Sequence, residues 1–134
     1  MPTRRRKPTW IDRVVLDAIQ LDQLREHGGL PGLRDENALE SALARPQNRW
    51  HYEPGIDLPE LAAAYGWGLT TSHPYRDGNK RAAFLAMATF VELNGYELNA
   101  TDTEVVQVML AVANHGMGER ELADWVRTHL ARKR

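Results

Sequence analysis

The chain predicts an all-α fold, a compact single-domain bundle of about six helices. Three observations carry that reading. Apolar residues recur at three- and four-residue steps, no stretch alternates with the two-residue period of a strand, and polar caps and glycines punctuate the helical runs. Ile11, Val14, Val15, Ala18, Leu21 and Leu24 give a first helix over about 12–27, with these residues as its buried face. Gly28 and Gly29 stop it, and Leu30-Pro31-Gly32 turns the chain. Asp35 caps a short helix that carries Ala38, Leu39, Ala42 and Leu43 and ends before Pro46.

Residues 46–59 hold three prolines and a glycine and predict the one long loop. Leu58, Leu61, Ala62, Tyr65 and Leu69 restore a helix up to Ser72, in which Gly66 and Gly68 predict close packing against a neighbour. From about Asn79 to Asn94 the chain is apolar nearly all round, the mark of a buried central helix, and Gly95 follows its end. Thr101 or Asp102 opens a fifth helix with Val105, Val108, Met109 and Val112. A sixth carries Leu122, Trp125, Val126 and Leu130.

The 134 residues fit one domain, and 43% apolar with 26% charged residues is an ordinary soluble composition. The absence of cysteine excludes a disulfide scaffold, a cysteine zinc site and a thiol nucleophile. Eight basic residues sit at the ends, among them Arg4, Arg5, Arg6, Lys7, Arg132, Lys133 and Arg134. The body between holds all 18 acidic residues against nine basic ones, which argues against direct DNA binding. The basic tails read as solvated ends. No secretory signal or membrane span is expected, and the reading is a cytoplasmic protein.

The chemistry concentrates in His73-Pro74-Tyr75-Arg76-Asp77-Gly78-Asn79-Lys80-Arg81. A polar turn here enters a helix, whose first N–H groups and positive dipole end favour anions. Gly78 lets a phosphate approach the backbone. Lys80 and Arg81 put cations where they oppose the dipole, a conflict that an anionic ligand resolves. Asp77 can hold Mg²⁺ through phosphate oxygens, and His73 is placed to act as a general base. A plain helix corner with a solvated Asp-Gly turn accounts for the same spacing without any ligand. His27, His51, His115 and His129 show no metal-ligand spacing.

The nine-residue segment resembles the signature of the Fic superfamily, in its death-on-curing (Doc) toxin branch. Gly28-Gly-Leu-Pro-Gly-Leu-Arg-Asp, Leu39-Glu-Ser-Ala-Leu-Ala-Arg-Pro, Leu61-Ala-Ala-Ala and Phe90-Val-Glu-Leu-Asn-Gly-Tyr extend the likeness. The resemblance implies a Fic/Doc-like domain over 12–130, with a basic N-terminal extension over 1–11 and a basic tail over 131–134. It implies His73 as general base and Asp77 as the acidic group that positions metal or phosphate. Gly78, Asn79, Lys80 and Arg81 fall on the phosphate-binding turn, and Tyr75 anchors the motif in place of the usual Phe. The stretch around Trp50, His51 and Tyr52 matches the flap that aligns the target.

Fic adenylyltransferases have glycine where this chain has Lys80 and a second arginine where it has Phe84. The Doc branch agrees at both positions. The resemblance therefore implies an ATP- and Mg²⁺-dependent kinase acting on a Ser or Thr hydroxyl, with elongation factor Tu as the expected target. A cognate antitoxin laid across the cleft is implied as its control, since the family's self-inhibitory motif is missing from this sequence. Nucleotidyl transfer to a protein hydroxyl and a catalytically silent binding module are the alternatives. Gln20 stands where relatives have a histidine.

Overall fold

The computed structural model describes residues 6–134. Six helices form the bundle: α1 (Arg13–His27), α2 (Glu36–Tyr52), α3 (Leu58–Ser72), α4 (Asn79–Leu93), α5 (Asp102–Ala113) and α6 (Glu119–His129). Each boundary has a local cause. Asp12, Asp35, Asp57 and Thr101 accept a backbone N–H at the starts of α1, α2, α3 and α5, and Asp57–Glu60 and Thr101–Glu104 close reciprocal capping boxes. Gly95, at φ 92°, stands just past Asn94 at the end of α4, where only a residue free of a Cβ turns without strain.

The helix enclosed on most sides is α3, which packs against α2, α4 and α6 and buries Leu61, Ala62, Ala63, Tyr65 and Leu69. The helix α4, expected to be central, is buried along Ala82, Ala83, Ala86, Met87, Phe90 and Val91 but leaves Leu85 and Leu93 exposed. Gly66 makes the α3–α4 approach possible, because a Cβ there would lie 2.4 Å from Met87 Sδ. Tyr65 ties the N-terminus to this core. Its hydroxyl accepts the Ile11 N–H at 3.0 Å, and burial pushes its pKa up to about 12.

Four expectations are corrected. The second helix runs through Pro46 to Tyr52, so the loop over 46–59 shrinks to 53–57. Pro46 is buried, and the turns beyond it are held by Arg49 ion pairs to Glu53 and Glu119, which offset the one backbone bond that proline removes. Helix α1 buries Leu16, Gln20 and Gln23, whereas Val14 (76% exposed) and Leu21 (53%) of its expected apolar face meet solvent.

At the C-terminus β2 (Leu130–Arg132) pairs antiparallel with β1 (Tyr96–Leu98), so the tail over 131–134 is tied down, with Lys133 N–H donating to Gly95 O. The N-terminal stretch 1–11 is likewise not all an extension. Thr9 exchanges hydrogen bonds with Asn94, Trp10 stacks on Phe90 and Ile11 is buried. Arg4 and Arg5 lie outside the described residues. Among the described residues no helix is long and apolar enough to cross a membrane.

Candidate active site

The motif turn is built by two helix ends. At the end of α3, His73 takes the left-handed conformation (φ 48°, ψ 59°), and Pro74 prevents any further helical turn. A non-glycine residue held there stores strain that persists only when neighbours over-determine it. The neighbours are residues 28–34. Leu33 bridges to Tyr75, Arg76 N–H donates to Gly32 O at 3.1 Å, and the N–H groups of Arg34 and Asp35 donate to Pro74 O at 2.8 and 3.0 Å. The Arg34 side chain donates to the carbonyls of Ser72 and His73.

Tyr75 is buried and its hydroxyl donates to Asp17 Oδ1 at 3.1 Å. Burial, with the Asp17 carboxylate beside it, raises the phenol pKa, so the hydroxyl stays protonated. Asn79 brackets the turn from the other side. Its Oδ1 accepts the Tyr75 N–H and its Nδ2 donates to Tyr75 O, both at 2.9 Å. The side chain expected to bind phosphate is thus engaged in holding the turn.

Helix α4 then starts from Gly78 at φ 73°, with no side chain capping it. Asp77 lies beside that open end. Its Oδ1 accepts the Gly78 N–H at 3.1 Å and its Oδ2 accepts the Leu30 N–H at 3.2 Å. Gly29 allows the close approach, since a Cβ there would meet Asp77 Oδ2 at 3.1 Å. Lys80 and Arg81 are exposed, and among the described residues neither forms an ion pair.

These residues face a cleft of about 330 Å³. Gly28, Asp77, Gly78, Asn79, Lys80 and Arg81 form its polar wall, and Val105, Val106, Met109 and Leu110 of α5 form its apolar one. His73 stands exposed at the head of the same turn, four residues before Asp77, and is not among the lining residues. Among the described residues no group of three His, Asp or Glu side chains could hold a metal ion by itself. Asp77 at an uncapped helix start fits Mg²⁺ held jointly with phosphate oxygens.

The expected flap is corrected. Trp50, His51 and Tyr52 form the last turn of α2, where Trp50 meets Trp10 edge-on and Trp10 stacks on Phe90. Phe90 lies about 16 Å along α4 from Asn79, at 1.5 Å per residue, so these aromatics sit near the opposite end of the helix from the motif. The segment that runs beside the motif is 28–34. Phe84 is half-buried edge-on to Trp125 and offers no cation at its position. The sequence reading missed Leu30, Arg34, Gln23 and the α5 wall. The signals in the sequence were the likeness over Gly28–Asp35 and the two glutamines of α1.

A sequence profile described as the Fic/DOC family matches residues 10–91. The "Protein kinase doc" of Escherichia phage P1 is 30% identical over 112 residues, spanning 84% of this chain and 88% of that protein. The "Toxin Doc" of Mycolicibacterium smegmatis is 40% identical over 77 residues, 54% of this chain and 57% of that relative. The profile takes in the segment 28–34 and the whole turn from His73 to Arg81, the elements that the structure brings together. The chain belongs to the Fic/DOC family, in its Doc branch.

Proposed function

We propose that this protein is a Doc-type toxin kinase that transfers the γ-phosphoryl group of ATP to a Ser or Thr hydroxyl of a translation factor. One observation carries the reading: an uncapped helix start with two unpaired cations, Lys80 and Arg81, faces a cleft whose other wall is apolar. The phosphates belong at the α4 end, where N–H groups and positive charge converge. The α5 wall of Val105, Val106, Met109 and Leu110 suits the face of a nucleobase.

In this reading His73 takes the proton of the target hydroxyl as that oxygen attacks the γ-phosphorus and the bond to the ADP oxygen breaks. Asp77, Lys80 and Arg81 orient the phosphates, and positioning with charge neutralisation supplies most of the rate. Mg²⁺ bound at Asp77 would draw charge from the phosphoryl oxygens. Phe84 supports γ-transfer over nucleotidyl transfer, because its apolar ring against Trp125 cannot grip terminal phosphates in the pose that exposes the α-phosphate. The name of the phage P1 relative agrees with kinase chemistry. The expected target is elongation factor Tu, and a cognate antitoxin is the expected inhibitor across the cleft.

The test is incubation with α- or γ-labelled ATP, Mg²⁺ and purified elongation factor Tu, with His73→Ala as control. Label from γ alone, with the rate lowered ~10²–10⁴-fold in His73→Ala, is the expected outcome. Label from α makes the protein a nucleotidyl transferase. No modified product from the pure factor or a whole lysate makes it a silent binding module.

A further inference from the structure

Helix α1 buries two glutamines, Gln20 at 4% and Gln23 at 3% exposure, on the face turned to the motif. Gln23 Nε2 donates to Gln20 Oε1 at 3.0 Å, and Gln20 Nε2 donates to the Asp77 carbonyl oxygen at 2.7 Å. Gln23 also fills the space beneath Gly78, where a Cβ would lie 2.0 Å from its Nε2. Gln23 Oε1 is buried with no partner. Buried amides cost stability that apolar side chains of the same size would not, most of all when one acceptor stays unfilled. Their directed bonds, by contrast, do what leucine cannot.

We propose that Gln20 and Gln23 are positioning residues that fix the Asp77–Gly78 peptide, and through it the Asp77 carboxylate and the N–H groups opening α4. The proposal rests on the reading that this turn binds nucleotide phosphates. The geometry supplies the mechanism. Gln20 holds the Asp77 carbonyl from below, while Leu30 and Gly78 hold the carboxylate from above. Releasing the carbonyl frees the peptide to rotate and scatters the direction of the anion-binding groups. Gln23 locks Gln20 and occupies the Cβ position of residue 78, adding to the left-handed φ of 73° that already favours glycine there.

The experiment uses the full chain with Gln20→Leu, Gln20→His, Gly78→Ala, and Gly78→Ala combined with Gln23→Asn. Two readouts are taken: amide hydrogen exchange and ¹⁵N relaxation of Gly78 to Arg81 without ligand, and MgATP affinity by calorimetry. Gln20→Leu is expected to loosen these amides and weaken MgATP binding about tenfold, and Gln20→His, which keeps a donor, to recover most of it. Gly78→Ala is expected to weaken binding, and the added Gln23→Asn to recover it in part, a non-additive pair. An unchanged turn in a folded Gln20→Leu protein overturns the proposal, as does a lowered melting temperature with unchanged turn order and MgATP affinity. If Gln20→Leu does not fold, an additive Gly78→Ala and Gln23→Asn pair overturns it. Wild type that ignores MgATP while Gln20→Leu still loosens the turn refutes the phosphate reading and leaves the positioning role standing.

Discussion

Arg34 Nε donates to the carbonyl oxygen of His73 at 2.5 Å, and its Nη2 donates to that of Ser72 at 2.6 Å. Helix α3 has no basic residue in its own last turn, so Arg34 supplies from a neighbouring segment the cation that a helix C-terminus favours. The same two bonds hold His73 in a conformation that costs a non-glycine residue about 1–2 kcal/mol. In Arg34→Ala, kcat is expected to fall about tenfold while the KM for ATP barely moves, because residues 77–81, which line the cleft, are untouched. Steady-state kinetics separate the two. A matching rise in KM would instead assign Arg34 to nucleotide binding.

Asn79 uses both ends of its amide on the Tyr75 backbone. Asn79→Leu keeps the size but strands a donor and an acceptor beside a buried ring, a loss of about 2–6 kcal/mol at 1–3 kcal/mol for each group. Urea unfolding measures it. A change under about 0.5 kcal/mol would mean that water replaces the amide without cost.

The two glycines of α3 are expected to part company. At Gly66 a Cβ meets Met87 Sδ at 2.4 Å, so Gly66→Ala overpacks the α3–α4 contact and costs about 1–3 kcal/mol. At Gly68 the nearest atom is Ala42 Cβ at 3.6 Å, an ordinary contact, so Gly68→Ala gains up to about 1 kcal/mol of helix propensity. Thermal melts of the two variants should shift in opposite directions.

His129 carries a pH dependence. Its Nδ1 faces Trp125 O at 2.8 Å and its Nε2 faces Glu104 Oε2 at 3.1 Å, so only the imidazolium donates to both. The Trp125 carbonyl first, and then Glu104, raise the His129 pKa above its usual 6.5 against desolvation. A raised folded pKa gives stability that is fully present below 6.5 and lost as pH rises through the folded value. Glu104 is lowered, chiefly by the Thr101 N–H, so its share is present above 4.5 and lost as pH falls through its folded value. Melting temperature should therefore fall from pH 6 to pH 9 more steeply in wild type than in His129→Gln. Equal slopes would show that the imidazolium contributes nothing.

The helical periods of α3 to α6 were legible because each buries a broad face, and the starts at Asp35 and Thr101 were legible because a cap is a local interaction. Pro46 misled as a stop, since burial and the Arg49 ion pairs hold α2 together beyond it. The apolar spacing of α1 misled as well. Val14 and Leu21 fit a helical face, yet the helix is rotated to bring Gln20 and Gln23 under the motif turn. The pairing of β1 with β2 left no period because it is three residues long and joins segments more than thirty residues apart.

The all-α class and the motif turn can be read from the chain alone, since they follow from local spacing and from chemistry carried within nine residues. It took the tertiary structure to show which segment runs beside that turn, that the Asn79 side chain brackets the Tyr75 backbone, and that Arg34, Gln20 and Gln23 support the turn. The Arg34 and Gln20 bonds to the turn join positions 38 to 57 residues apart. Contacts at such separation depend on how the helices rotate and pack against one another, which no local pattern encodes.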